Sequence, residues 1–423
     1  RESKNCEMKN IQVGGVPIRF PKDLDPFPAQ LALMSKVTAS LKRSQNALLG
    51  SPTGTGKTLA LLASTLAWQN EDYKDRRFRS QKSKITKIYF ASRTHSQLTQ
   101  VADELKAHPD LLLSDVTIES DDGEGESRRK MIVLGSRDHF CVNKDVRKQK
   151  SSSTREMCEE LLEADACREF KRHLQVVSSA PDIWDIEDLV KLGRKKESCP
   201  YFASRAMMSE ASIVLCPYNY ILDSMIRSKM DVKIENSIVI FDEAHNICDV
   251  ARSIASFDIS FDELTSLEAE LTTYHSIADD ELKVYCKKML DMTKGFLRWG
   301  KLVSKQIKPE DFEQEHNVWS GEEAMGILST YCSMTSENFK SFRDAASKLS
   351  SASMDARETR WKAKRTDVLP AHALSTMQGF VRVCELLYAR NVIVEDEDRV
   401  RDNANHYRLV LVRTWCSRGV SKF

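Results

Sequence analysis

No run of 18 uncharged apolar residues occurs in this 423-residue sequence, and its first ten residues, RESKNCEMKN, hold no apolar signal region. Both absences argue against a membrane span and against secretion, since a helix needs about 20 apolar residues to cross a bilayer. An intracellular chain with no membrane partner is the expectation. A surplus of one charge is lacking too, with 63 Lys and Arg against 62 Asp and Glu. Bulk charge therefore neither indicates nor excludes a nucleic-acid partner, because a neutral protein can still line one groove with positive potential. Also absent is any C-x-x-C pair among the 11 cysteines. That argues against zinc ribbons and fingers, and without a secretory signal it favours thiols or widely spaced metal ligands over a disulfide framework.

What is present is enough apolar sequence, 41%, to fill two or three domain cores. The most informative stretch is SPTGTGKT, Ser51 to Thr58, which follows the apolar run NALLG and leads into LALLASTLAW. The pattern reads strand, loop, helix. In such a loop, formed by Ser51, Pro52, Thr53, Gly54, Thr55 and Gly56, the glycines would let the backbone N–H groups, of which Pro52 has none, converge on a β-phosphate at the helix N-terminus. The Lys57 ammonium would reach β- and γ-oxygens, and the Thr58 hydroxyl would complete a Mg²⁺ shell. The strict template requires glycine five residues before Gly56; this chain has Ser51 there, and Gly50 comes one position early.

The partner of that loop is SIVIF, Ser237 to Phe241, a continuous apolar run suited to a buried parallel strand, which ends in Asp242-Glu243-Ala244-His245. Ligands of open α/β sheets gather at the carboxyl ends of strands. Asp242 would there hold Mg²⁺, and Glu243 would orient or deprotonate the attacking water. Loop and acidic pair together indicate an ATPase.

The motifs SPTGTGKT, ASRTHSQ (Ala91 to Gln97) and DEAH, in that order, resemble those of superfamily 2 helicases, within them the iron–sulfur helicases related to xeroderma pigmentosum group D. GSRDHFCV, WDIEDLVKLGRKKESCPY, CPYNYILD and VWSGEEAM look more narrowly like the Fanconi anaemia group J branch, with the telomere-length-regulating branch as the alternative. The resemblance is dense over residues 10–260. It implies Gln30, in PFPAQ, against the adenine, and Arg93, Thr94 and His95 on phosphates of a DNA backbone. It also implies that His245 couples the nucleotide site to the DNA face. Cys141, Cys158, Cys167 and Cys199, with 16, 8 and 31 residues between them, match the ligand pattern of a [4Fe–4S] cluster. Basic residues beside them, Arg137, Arg147, Lys148, Lys150, Arg194, Lys195 and Lys196, would then line a groove for single-stranded DNA. Cys216 and Cys248 read as core.

The implied fold class is α/β: a RecA-like P-loop motor domain with a parallel sheet, interrupted by an iron–sulfur cluster domain and a largely helical arch domain. Residues 1–135 and 205–256 would form the motor, 136–204 the cluster domain and 257–404 the arch. HYRLVLVRTWC in 405–423 alternates like a strand and would return to the motor sheet. Neither S-G-T-L nor Q-x-x-G-R-x-x-R occurs, so the chain would end before a second motor domain and would not unwind DNA alone. The implied activity is that of a nuclear, ATP-dependent 5′ to 3′ DNA helicase acting on single-stranded, forked or G-quadruplex DNA in repair, with repair proteins as partners. A non-motor ATP switch is the alternative from another class.

Overall fold

The computed structural model describes residues 8–52, 54–79, 84–112, 118–119, 126–127, 129–148, 154–305, 315–359, 368–392, 400–415 and 421–422. The chain divides into two compact units, Arg1–Ala251 and Arg252–Phe423. No described helix is long and apolar enough to cross a membrane.

The first unit opens with a hairpin of β1 (Met8–Val13) and β2 (Val16–Pro21). Its two-residue turn needs left-handed backbone at both positions, and Gly14 and Gly15 supply it with φ of 60° and 73°. Helices α1 (Pro28–Lys42) and α2 (Lys57–Arg79) follow, then β3 (Ile88–Ser92), α3 (His95–Ala107), β4 (Met131–Val133), β5 (Ile213–Pro217) and β6 (Ile238–Phe241). The four later strands form one parallel sheet in the order β4, β5, β3, β6. Strands β3 and β4 are wholly buried and apolar apart from Ser92, as a sheet covered on both faces requires. Short helices that carry the four candidate ligand cysteines lie between β4 and β5, so the insertion leaves and rejoins the sheet at adjacent strands.

Two expectations change here. NALLG is not a strand: Asn46 to Gly50 has no regular structure and Leu48 is 92% exposed. Its partner edge is open as well, since β6 ends the sheet and all four of its residues are half-buried. Cys248 is exposed, whereas Cys216 is buried as expected. Cys6 and Cys416 lie outside the described residues.

A half-buried ion cluster ties α3 to the helix Ile186–Lys196 of the insertion. Lys106 bonds Asp185, the N-cap of that helix, and lies 2.6 Å from Asp188. Burial alone would raise the Asp185 carboxyl, but the bonds from Lys106 and from the Asp188 N–H hold it below its ordinary value. Burial would lower Lys106, and the two carboxylates instead hold it above its ordinary value. A depressed carboxyl contributes stability above the ordinary carboxylate range and loses it as pH falls through the folded value; a raised ammonium contributes below the ordinary lysine value and loses it as pH rises past that. Lys106→Met should destabilise the fold by about 1–3 kcal/mol at neutral pH, because it strands a carboxylate that is only 11% exposed. In melting experiments the gap to the wild type should stay level through neutral pH and close below about pH 4.

The second unit is built from helices, as its sequence predicts: α4 (Phe261–Ile277), α5 (Asp280–Ser304), α6 (Gly321–Cys332), α7 (Phe339–Thr359) and α8 (Ala371–Tyr388). Ser260 with Glu263, and Ser320 with Glu323, form reciprocal capping boxes that start α4 and α6. Trp299 is 4% exposed with its ring 5.1 Å from that of Trp319, so it belongs to the core and offers no platform for bases. Trp361 lies outside the described residues. The expected return of the C-terminal strand to the motor sheet is not observed. Strand Arg408–Trp415 instead pairs antiparallel with Glu315–Ser320, Val410 opposite Val318, within the second unit. Its alternation explains the choice: Arg408 and Val410 are exposed while Leu409 and Leu411 are half-buried, the habit of a two-faced antiparallel ribbon.

Candidate nucleotide site and cysteine pocket

At the carboxyl end of the sheet, the Asp242 N–H donates to Ala91 C=O at 2.9 Å, extending the β3–β6 ladder by one residue past β6. Glu243 then turns into left-handed backbone, φ 55° and ψ 48°, which aims its side chain at the start of α2. Lys57 Nζ meets Glu243 Oε1 at 3.2 Å across 186 residues of sequence. The predicted phosphate-loop lysine and acidic pair thus converge. Burial first, and the Glu243 charge second, push the Asp242 carboxyl up, with Lys57 opposing them. A carboxyl so placed gains from a divalent cation. The Tyr218 hydroxyl donates to Asp242 C=O and is itself pushed up to about 12 by burial and by the two carboxylates, so it remains a neutral donor.

The loop is stitched from within. Gly54 and Gly56 have φ of 77° and 67°. Ser51 Oγ and Thr55 Oγ1 are 2.7 Å apart and Thr55 donates to Pro52 C=O, so the serine in the template's glycine position works as a brace. Thr58 lies half-buried in the first turn of α2, and Thr53 is outside the described residues. Gln30, expected against the adenine, is 5% exposed; it accepts from the Phe27 N–H and donates through Nε2 to Gly56 C=O at 3.2 Å. Its amide buttresses the loop.

A Cβ at Gly56 would lie 2.5 Å from Gln30 Nε2 and so push that amide off the loop, and it would sit in a backbone region that costs other residues about 1–2 kcal/mol. Gly56→Ala should weaken binding of a fluorescent ATP analogue at least about tenfold in the full-length protein, roughly 1.4 kcal/mol. Unchanged affinity in a folded variant would show that the loop tolerates a shift.

The three candidate DNA residues part company. Arg93 and Thr94 are exposed at the end of β3, where Thr94 caps α3. His95 turns inward, its ring 4.1 Å from that of His139 and against Gly135, with Nδ1 buried and unpartnered. Burial and His139 lower it to about 4, so at neutral pH it carries no charge for a phosphate. The sequence gives no sign of this, because His139 is 44 positions away. Asn246 was missed for the same reason: it bonds Arg93 from 153 residues away.

Cys141, Cys158, Cys167 and Cys199 are each 8% exposed, and all four thiols are raised chiefly by burial and in part by one another's charge, except that Cys158 is raised by Glu159. Backbone N–H groups face three of the sulfurs: Asn143 at Cys141, Phe170 at Cys167, Phe202 and Tyr201 at Cys199. Two of these cysteines are N-caps, of Arg168–Lys171 and Pro200–Ala206, which is why helix amides reach them. Arg137 sits against Cys158 and stacks over the Tyr201 ring at 4.9 Å, so it belongs to this pocket and not to a free groove. Arg194, Lys195 and Lys196 are exposed in the last turn of their helix, and Arg147 and Lys148 are exposed too. Lys150 lies outside the described residues. Among those residues no three His, Cys, Asp or Glu side chains converge tightly enough to hold a single metal ion. Four buried thiols gathered so that their ionised forms would oppose one another, with backbone N–H donors at three of them, fit the donor set of a thiolate-held group.

Residues 90–264 match the DEAD_2 family. The matched segment covers less than half of the chain. It begins inside β3 and takes in all four pocket cysteines and the acidic pair, while Lys57 lies upstream of it. Over 288 residues, 60% of this chain and 22% of the relative, the chain is 36% identical to regulator of telomere elongation helicase 1 of Mus musculus. It is 35% identical to the Homo sapiens protein of that name over 294 residues, 61% of the chain and 22% of the relative. The Drosophila yakuba homolog is 34% identical over 301 residues, 63% and 29%. The chain therefore spans less than a third of the curated relatives it matches. A solved structure titled XPD_Helicase aligns over 86% of the chain and 51% of its own, at TM-score 0.44 and 15% identity.

These relatives bear the name of the telomere branch, the alternative at the sequence level, and not of the group J branch. The phrase that favoured group J, VWSGEEAM, has a local cause. Ser320 and Glu323 close a helix cap, and a Cβ at Gly321 would strike the Ala404 backbone. Such residues record a cap and a tight packing point.

Proposed function

We propose that this chain supplies the nucleotide-hydrolysing motor unit of an ATP-dependent DNA helicase of the iron–sulfur kind, of the telomere-length-regulating type. One observation carries the reading: the Lys57–Glu243 contact at 3.2 Å, which brings a phosphate-loop cation and a water-orienting carboxylate to one sheet edge beside Asp242. Lys57 would hold the β- and γ-phosphates, and Thr58 and Asp242 the Mg²⁺ that bridges them. Glu243 would orient the water. Cys141, Cys158, Cys167 and Cys199 would hold a [4Fe–4S] cluster, whose contribution is to cross-link a segment of short helices. Exposed Arg93 and Thr94 would take backbone phosphates of single-stranded or forked DNA, with Arg194, Lys195 and Lys196 as further cations. Translocation 5′ to 3′, action on G-quadruplexes, repair-protein partners and a nuclear location belong to the same proposal and rest on the resemblance.

The test is ATP turnover by the full-length protein with and without single-stranded DNA. Turnover that rises at least several-fold with DNA, and depends on Mg²⁺, is expected. A rate indifferent to DNA would instead favour an ATP-binding switch.

A further inference from the structure

Past the acidic pair, Asn246 is 8% exposed and every polar atom of its side chain is engaged. Its Oδ1 accepts from Arg93 Nη1 at 2.7 Å. Its Nδ2 donates to Glu243 C=O at 3.2 Å and faces His245 Nε2 at 3.0 Å. Guanidinium can only donate, so the amide oxygen must face Arg93 and the amide nitrogen must face the other way. His245 Nε2 then accepts, which puts the imidazole proton on Nδ1, 3.3 Å from Glu243 Oε2. The other oxygen of that carboxylate meets Lys57. Donors and acceptors thus match at every contact from the phosphate loop, through Glu243 and His245, to Asn246 and the exposed guanidinium at the end of β3, with the Glu243 carboxylate accepting from both sides.

We propose that Asn246 is a positioning residue that links the state of the nucleotide site to Arg93; the inference rests on the motor reading above. Glu243 sits in left-handed backbone that other turns reserve for glycine, and its C=O receives both the Asn246 backbone N–H at 3.1 Å and the Asn246 side chain. When phosphate competes for Lys57, the Glu243 carboxylate loses a partner, and its readjustment reaches Asn246 through the shared carbonyl and through His245. When a nucleic-acid phosphate draws Arg93 away, Asn246 loses its acceptor contact and Glu243 feels the change. Linkage makes these two effects one coupling free energy.

The experiment uses the full-length protein with oligo-dT as the DNA probe, and compares wild type, Asn246→Ala, Arg93→Lys and the double variant. Asn246→Ala keeps the backbone N–H bond to Glu243. It should hold DNA-free turnover and melting temperature near the wild-type values, within about threefold for the rate, while maximal stimulation by DNA falls by at least about tenfold. Arg93→Lys keeps the cation but loses the planar fork. Assayed at saturating oligo-dT, it should lose stimulation to a similar degree, and because the site is exposed it tests the same bond even if Asn246→Ala fails to fold. The double variant should be no worse than the worse single one. Three results overturn the inference: full stimulation in either single variant, DNA-free turnover that falls as far as stimulated turnover, or losses that multiply in the double variant. A wild type that DNA does not stimulate would fail the motor reading itself, and the bridge with it.

Discussion

Lys57→Ala in the full-length protein should lower ATP turnover by about a hundredfold to a thousandfold, the range seen when one preorganised charge is removed from a developing anion. Two effects add. The variant removes the cation that would gather β- and γ-oxygens, and it leaves Asp242 and Glu243 facing one another with no positive charge between them, where burial and mutual repulsion already raise the Asp242 carboxyl. Glu243→Gln separates the two contributions. Glutamine keeps the length and can still bond to His245, but it neither accepts a proton from water nor repels a γ-phosphate. Turnover should fall by a comparable factor while ATP affinity holds or rises, a loss confined to kcat. Lys57→Arg should not rescue, because the compact ammonium meets a single oxygen of Glu243 and a planar fork presents its donors in a different geometry. Hydrolysis by Lys57→Ala within about threefold of wild type would remove the basis for assigning this loop to phosphate.

The parts of the site legible in the sequence were those whose chemistry lies within one short run. Ser51 to Thr58 announces its own backbone geometry through two glycines, and Ile238 to Phe241 announces a strand through an unbroken apolar run, though the run forms a half-buried edge and not the buried strand expected. The C-terminal ribbon shows the limit. Its alternation correctly indicates a strand, but period-two patterning names no partner, and the apolar residues of Glu315–Ser320 answered it before the motor sheet could. NALLG fails differently: it has strand composition, yet composition names no partner, and among the described residues Asn46 to Gly50 pairs with no strand although β6 is an edge. His95, Asn246, Gln30 and Lys106 depend on contacts from 26 to 153 residues away, and nothing in the flanking sequence encodes those distances.

Cys199→Ser should strip the cysteine pocket of its metal and open residues 137–206 to protease while leaving nucleotide binding within about threefold of wild type. Four buried thiols offer little cohesion by themselves: burial raises the Cys199 thiol to about 12 even with two backbone N–H groups beside it, so an uncoordinated Cys199 is a neutral and weakly bonding group. In the proposed cluster site the same four side chains would be held as thiolates, and the backbone N–H groups aimed at three of the sulfurs would then make charge-assisted bonds. Cys199 is the sharpest position to break. Its N–H donates to Glu169 C=O at 2.8 Å, the Glu169 carboxylate receives Asn143 Nδ2 at 2.9 Å and lies beside Cys167, and the helix Pro200–Ala206 starts at Cys199 itself. One serine thus loosens the region around three of the four sulfurs, whereas β3, β6 and the phosphate loop take no part in it. Protein purified without oxygen should contain about four irons and four labile sulfides per chain, with the visible charge-transfer absorbance of such a cluster, and Cys199→Ser should lose most of both. One zinc per chain and no labile sulfide in the wild type would replace the cluster with a structural zinc site, and unchanged absorbance in the serine variant would take Cys199 out of the ligand set.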